Sequence, residues 1–154
     1  KMTEQTMEYA REVGVIPEVI SSMEEAGWEN GIEGFMATSD LQRVAEYIDQ
    51  YLPEIYYVNS EPGCVDIMAS GVSKWRGIKI LAESLNIAHE DILTVGNYYN
   101  DIDMLQHAGV GIAVANSLPE VKDVADFVTE YDNNHDAVAE IISKMLHHEY
   151  DMTK

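Results

Sequence analysis

Residues 91–105 read Asp-Ile-Leu-Thr-Val-Gly-Asn-Tyr-Tyr-Asn-Asp-Ile-Asp-Met-Leu, and this stretch decides the fold. An apolar run, Ile92 to Val95, ends at Gly96 and meets a cluster of short polar side chains: Asn97, Asn100, Asp101 and Asp103. The spacing of Ile102, Leu105 and Ala108 then becomes helical. A buried strand running through a loop into a helix start gives this pattern. In open α/β sheets such loops project from the carboxyl ends of strands, where ligands bind. Carboxylates and amides gathered there suit a hard cation or a phosphate.

Outward from this stretch the elements alternate. Ser73 caps a predicted helix over 74–85, and strands are predicted at 92–96, 110–114 and 127–129. Helices are predicted from about Asn100 to His107, from a capping box at Ser117 and Glu120 to Ala125, and over 136–148. Asn100 reads as the N-cap of its helix, and Asp103 as a capping and dipole residue in the first turn. Asn133 and Asn134 read as caps of the last helix. The alternation from residue 73 onward predicts parallel α/β winding.

The earlier part reads differently. Helices are predicted over 3–13 and 17–26, then a strand over 32–37. A capping box at Ser39 and Gln42 opens a helix through Tyr51, which Pro53 stops. Strands over 55–59 and 64–69 flank Ser60-Glu61-Pro62-Gly63, a turn that makes them a hairpin. This is an α+β pattern, and the boundary is placed near Gly71.

The chain has 154 residues, 46% of them hydrophobic, enough for a packed core. Twenty-eight acidic residues against nine basic ones give a formal charge of −19, which repels nucleic acid and anionic membrane. The same field repels a phosphorylated substrate unless a cation and a lysine offset it locally. Cys64, the only cysteine, leaves neither an intrachain disulfide nor a cysteine-rich zinc site, and is read as a strand residue. No segment approaches the ~20 apolar residues of a membrane span. No signal peptide is visible, and the expected location is the cytoplasm.

Among the candidate site residues, Lys74 opens a helix, where a cation opposes the helix dipole. A phosphate and a carboxylate would offset that, and Asp101 is the best carboxylate partner in the chain. A lysine there would screen a phosphoryl group. The helix start at Asn100 can present N–H groups to an anion.

Three motifs then resemble the C-terminal part of a haloacid dehalogenase-superfamily phosphatase of the Cof type, which carries a large α/β cap. Gly71-Val72-Ser73-Lys74 is similar to the segment holding the family's third-motif lysine. Residues 96–105, Gly-Asn-Tyr-Tyr-Asn-Asp-Ile-Asp-Met-Leu, resemble the fourth motif, G-D-x-x-N-D-x-x-M-L. Residues 111–117, Gly-Ile-Ala-Val-Ala-Asn-Ser, followed by Val121-Lys122 and Ala125-Asp126, resemble the trailing segment.

The resemblance implies a partial HAD-like, Rossmann-like parallel core over 71–154, preceded by the second half of an α/β cap over 1–70. It implies hydrolysis of small phosphate monoesters, among them sugar phosphates, through an aspartyl-phosphate. The implied cofactor is Mg²⁺ and the implied substrate a small phosphorylated metabolite. It puts Lys74 and Asp101 at the catalytic centre, Lys74 and Asn100 at the phosphate, Asn97 at the metal and Asn116 in the role of loop organiser.

Two departures accompany it. The family's D-x-D nucleophile motif is absent, so the chain reads as a C-terminal fragment that is inactive alone. It is expected to self-associate or to bind its missing N-terminal half. Asn97 stands where the family has aspartate, and a neutral amide weakens a Mg²⁺ site. The alternative is a non-catalytic HAD-derived binding or interaction module. A third class, the phosphorylation domain of a P-type ion pump, carries a similar loop, but no membrane span follows residue 105.

Overall fold

The computed structural model describes residues 4–22, 25 and 31–150. The chain folds as two compact units, residues 1–57 with 63–69, and residues 58–62 with 70–154.

The first unit contains α1 (Glu4–Glu12), β1 (Phe35–Ala37), α2 (Leu41–Tyr51) and β3 (Cys64–Ala69). The strand β2 (Ile55–Glu61) completes a three-stranded sheet of order β1-β3-β2. β1 runs antiparallel to β3, with Phe35 opposite Ile67 and Ala37 opposite Val65. Pro62 and Gly63 make the predicted hairpin turn, Gly63 at φ 79°, a conformation that a Cβ would disfavour. Ile48, Cys64 and Val65 are buried, while Phe35, Tyr47 and Tyr56 stay substantially exposed.

Two expectations fail in this unit. The α-helix predicted from Pro17 is not formed where the structure describes it: 15–20 are irregular, Ser21–Ser22 bend and Glu25 has 3₁₀ character. β-Branched Val19 and Ile20 and the two serines are weak helix formers. Ile16 and Val19 are exposed, so no buried face compensates. Residues 23, 24 and 26–30 of that region lie outside the described set. The Ser39 capping box is not made either. The cap falls on Asp40, in the left-handed region at φ 50°, with no side-chain cap bond. Gln42 instead donates to Glu46, one turn along the helix, at 2.9 Å.

The second unit is the parallel α/β part. It holds α3 (Lys74–Leu85), β4 (Leu93–Gly96), α4 (Ile102–His107), β5 (Val110–Ala113), α5 (Pro119–Val124), β6 (Phe127–Val128) and α6 (Ala137–Leu146). Its sheet has the order β4-β5-β6, all parallel. β5 is central and buried at every position. Its two-residue period divides the core. Val110 and Ile112 pack with Ile141 of α6 and Tyr150, while Ala113 packs with Leu105 of α4 and Val121 of α5. Burial on both faces is what a parallel strand requires, and it explains why 110–114 is continuously apolar.

Three caps differ from expectation here. α5 starts after Leu118 with Pro119 in its first turn, so Ser117 is one residue too early to cap it. Asn100 lies inside a 3₁₀ turn, Tyr99–Asp101, whose N-cap is Tyr98. The N-cap of α6 is Asp136 at φ 60°, not Asn133 or Asn134.

Candidate active site

β4 delivers the chain at Gly96 to the carboxyl edge of the sheet, and the 3₁₀ turn then folds Asp101 back beneath the loop. The Asp101 side chain is 4% exposed. Its Oδ2 accepts the backbone N–H of Asn97 at 2.8 Å and of Tyr98 at 3.2 Å. Its Oδ1 accepts from Lys74 Nζ at 2.5 Å. Gly96 permits this closeness: a Cβ there would sit 2.4 Å from Asp101 Cβ. The fourth-motif glycine is thus needed for close approach rather than for a left-handed backbone.

Lys74 reaches Asp101 from the first position of α3. Ser73 makes the predicted cap, its Oγ accepting the Arg76 N–H at 3.1 Å. The Lys74 side chain is 49% exposed, and its ammonium is anchored on Asp101. Three of the four lone-pair sites of this carboxylate are taken, which fixes it on the lysine and the loop. The lysine keeps donors for an incoming anion.

The loop between β4 and α4 is fixed from behind. Ser117 Oγ donates to the Gly96 carbonyl at 3.2 Å, and the Leu118 N–H donates to the Asn97 carbonyl at 3.3 Å. Both backbone groups of Asn97 are therefore engaged. Asn100 is half-buried within the turn. Tyr98 and Tyr99 pack edge to face, and Tyr99 donates to Glu120 at 3.3 Å. The negative charge of Glu120 pushes the Tyr99 phenol above its ordinary pKa.

Asn116 follows β5. Its Nδ2 donates to Asn133 Oδ1 at 2.6 Å, and its Oδ1 accepts the Asn133 N–H at 3.3 Å. Asn133, predicted as a cap, instead joins the two loops. Thr129 supports this junction, accepting from Ala115 N at 3.1 Å and donating to the Tyr131 carbonyl at 2.6 Å. Lys122 donates to the Ala115 carbonyl at 2.5 Å.

Two groups escaped sequence reasoning. Asp103 Oδ2 accepts from Ser73 Oγ at 2.6 Å, across thirty residues of sequence. Glu140 Oε2 accepts the N–H groups of Glu130 at 2.9 Å and Tyr131 at 3.0 Å. Only the Glu140–Lys144 spacing on α6 hints at the second, since four residues put both on one helix face.

The described residues contain no group of three or more His, Cys, Asp or Glu side chains able to hold a metal ion. In the loop the oxygen donors of the side chains are two neutral amides, Asn97 and Asn100, two tyrosine hydroxyls, and the Asp101 carboxylate already committed to Lys74 and two N–H groups. That set does not by itself fit a hard divalent cation, which takes several oxygen ligands with negative charge among them.

With this geometry in place, comparison with known proteins decides the family. The family model described as haloacid dehalogenase-like hydrolase matches residues 19–142. The chain belongs to that family. The Bacillus subtilis protein YxeH is 35% identical over 108 residues, covering 70% of this chain and 40% of its own length. The 5-amino-6-(5-phospho-D-ribitylamino)uracil phosphatase YcsE of the same organism is 34% identical over 89 residues, 58% of this chain and 35% of its own. Among solved structures, the HAD subclass IIB sugar phosphatase BT4131 superposes with a TM-score of 0.76 at 26% identity. That superposition covers 96% of this chain and 54% of BT4131. The chain therefore spans about two fifths of these curated relatives and about half of the solved structure. No described helix is long and apolar enough to cross a membrane.

Proposed function

We propose that this chain is the C-terminal part of a Mg²⁺-dependent HAD-type phosphatase acting on small phosphate monoesters, sugar phosphates among them, in the cytoplasm. Residues 71–154 would contribute the C-terminal part of the core and residues 1–70 the second half of the cap. The observation that carries the reading is the Lys74–Asp101 pair at the carboxyl edge of a parallel sheet. Asp101 uses both oxygens to hold the lysine and the loop, and the ammonium, on a half-exposed side chain with donors to spare, would meet a phosphoryl oxygen. Its role is to neutralise charge where an anion gathers, in a field that is otherwise strongly negative. Asn100 would border the phosphate, and Asn116 would hold the adjoining loop through Asn133.

The sequence carries no D-x-D nucleophile motif, so this reading assigns the nucleophile and most of the charge of a metal site to an N-terminal half. The chain alone is expected to show no turnover of aryl or sugar phosphates with added Mg²⁺. The deciding experiment joins it to the N-terminal region of YcsE, which supplies the half that this chain does not cover. The chimera is expected to hydrolyse phosphate monoesters. Lys74→Ala is expected to lower its kcat by about 10²–10³-fold, as for loss of a transition-state charge contact. Asn97→Asp should strengthen its Mg²⁺ binding, read by calorimetry. A folded chimera that is inactive both with Asn97 and after Asn97→Asp would favour the non-catalytic module.

The same reading makes the isolated chain an associating one. β4 is an edge strand of its sheet, and an edge of this kind pairs readily with another chain. Size-exclusion chromatography with light scattering should show self-association or a retained N-terminal half. A monomer of 17.3 kDa would defeat this part of the reading.

A further inference from the structure

Three consecutive residues at the start of α3 each meet the segment that carries Asp101. Ser73 Oγ donates to Asp103 Oδ2 at 2.6 Å. Lys74 Nζ donates to Asp101 Oδ1 at 2.5 Å. The Trp75 ring stacks on His107, with centroids 5.7 Å apart and planes 21° from parallel. His107 returns to Asp103. Its Nδ1 lies 2.8 Å from the Asp103 carbonyl oxygen and 3.1 Å from Oδ1 of the same residue. Both neighbours are acceptors, so Nδ1 carries the proton and donates.

Asp103 is thus the node of the arrangement. One oxygen holds the residue before Lys74, and the other holds the imidazole on which the residue after Lys74 rests. The lysine needs such support. Its side chain is half exposed and long, and fixing such a chain in one geometry costs much of its rotamer entropy. A single half-exposed ion pair returns little of that. Fixing the backbone on both sides of Lys74 confines where its stem can start and leaves fewer rotamers to lose. The Ser73 hydroxyl also serves twice, as N-cap acceptor for Arg76 and as donor to Asp103. The cap of α3 and the position of α4 are therefore one hydrogen-bonded unit.

We propose that Asp103 is the positioning residue for Lys74, setting its ammonium against Asp101 through Ser73 on one side and the His107–Trp75 stack on the other. The inference deepens the proposed phosphatase reading, since Lys74 is the group that reading assigns to the phosphate. It makes its own demand on the folded chain, with no substrate present.

The test uses the full chain, labelled with ¹⁵N on lysine. An ammonium held in one place by a hydrogen-bonded ion pair exchanges slowly enough, at low temperature and mildly acidic pH, to give an ammonium ¹H–¹⁵N correlation. The wild-type chain is expected to show this signal for Lys74, and Lys74→Arg assigns it. Asp103→Ala is expected to abolish the signal and to shift Trp75 fluorescence, read in a Trp28→Phe background, while amide dispersion stays that of a folded protein. Ser73→Ala should abolish it as well, and Ser73→Thr, which keeps the hydroxyl, should restore it. These serine variants decide the matter if Asp103→Ala does not fold. A Lys74 signal that survives both alanine variants overturns the positioning role and leaves the phosphatase reading standing. A wild-type chain without an ordered Lys74 ammonium overturns the proposal together with the anchored lysine on which that reading rests.

Discussion

The two units bury their strands to different depths. In the second, β5 has neighbours on both faces, and Val110, Ile112 and Ala113 are fully shielded from water. In the first, the sheet buries Cys64 and Val65, but Phe35 is 53% exposed and Met36 37%. An apolar groove of about 740 Å³ opens there, lined by Phe35, Val44, Tyr47, Ile48, Ile67 and Met68. The contrast shows where positional accuracy can be built. The candidate site rises from the carboxyl ends of β4 and β5, beside the strand that is covered on both faces. A charged pair whose value depends on tenths of an ångström needs such a base.

The largest effect should come from emptying the better-packed core. Ile112→Ala is expected to cost about 2–5 kcal/mol, by chemical denaturation, because β5 offers no room to collapse. Equal costs for Ile112→Ala and a truncation in β1 would dissolve the contrast.

Next comes the junction of core and site. Gly96→Ala would drive a methyl into Asp101 Cβ and is expected to cost about 1–3 kcal/mol by overpacking. The Lys74 ammonium signal should disappear with it. An intact signal would mean that the loop yields without disturbing the pair.

The back of the site can be probed by pH. Burial alone would raise the Glu140 carboxyl, but the Lys144 hydrogen bond and the N–H groups of Glu130 and Tyr131 outweigh it and hold the pKa below the ordinary 4.5. The sign follows from linkage: the unfolded chain binds the proton more tightly. The stabilisation is thus present above pH 4.5 and is lost as pH falls through the lower folded value. Glu140→Ala, which removes the acceptor of two exposed backbone hydrogen bonds, is expected to cost about 0.5–1.5 kcal/mol at neutral pH and to flatten part of the acid-side decline.

The smallest effect belongs to the first unit. Phe35→Ala removes a half-exposed ring and should cost roughly 1 kcal/mol or less. A larger loss would mean that the groove is closed in solution, and would place its apolar lining in a buried interface.

Much of the second unit was legible because its signals are local. Strand periodicity, the Ser73 cap and the polar cluster after Gly96 each depend on neighbouring residues. The lysine's need for a carboxylate followed from its place at a helix start, and Asp101 is the carboxylate that it meets. Caps were less legible. Ser39, Asn100 and Ser117 all have cap chemistry, but each missed the cap by a residue or two. Left-handed Asp40, an inserted 3₁₀ turn and Pro119 moved the helix starts. The failed helix after Pro17 shows the same limit, since acceptable spacing of apolar residues is worthless without a surface to bury them on.

By itself, the sequence determined the α/β class, the order of elements in the second unit and the family resemblance, since short-range periodicity and motif spacing carry all three, and the lysine's place at a helix start named Asp101 as its best partner. Tertiary structure alone decided that Asp103 answers Ser73, that Glu140 holds the loop after β6 and that Asn116 meets Asn133. Those contacts join residues ten to thirty positions apart, brought together by strand stacking and helix packing. No local pattern in the chain encodes such a meeting.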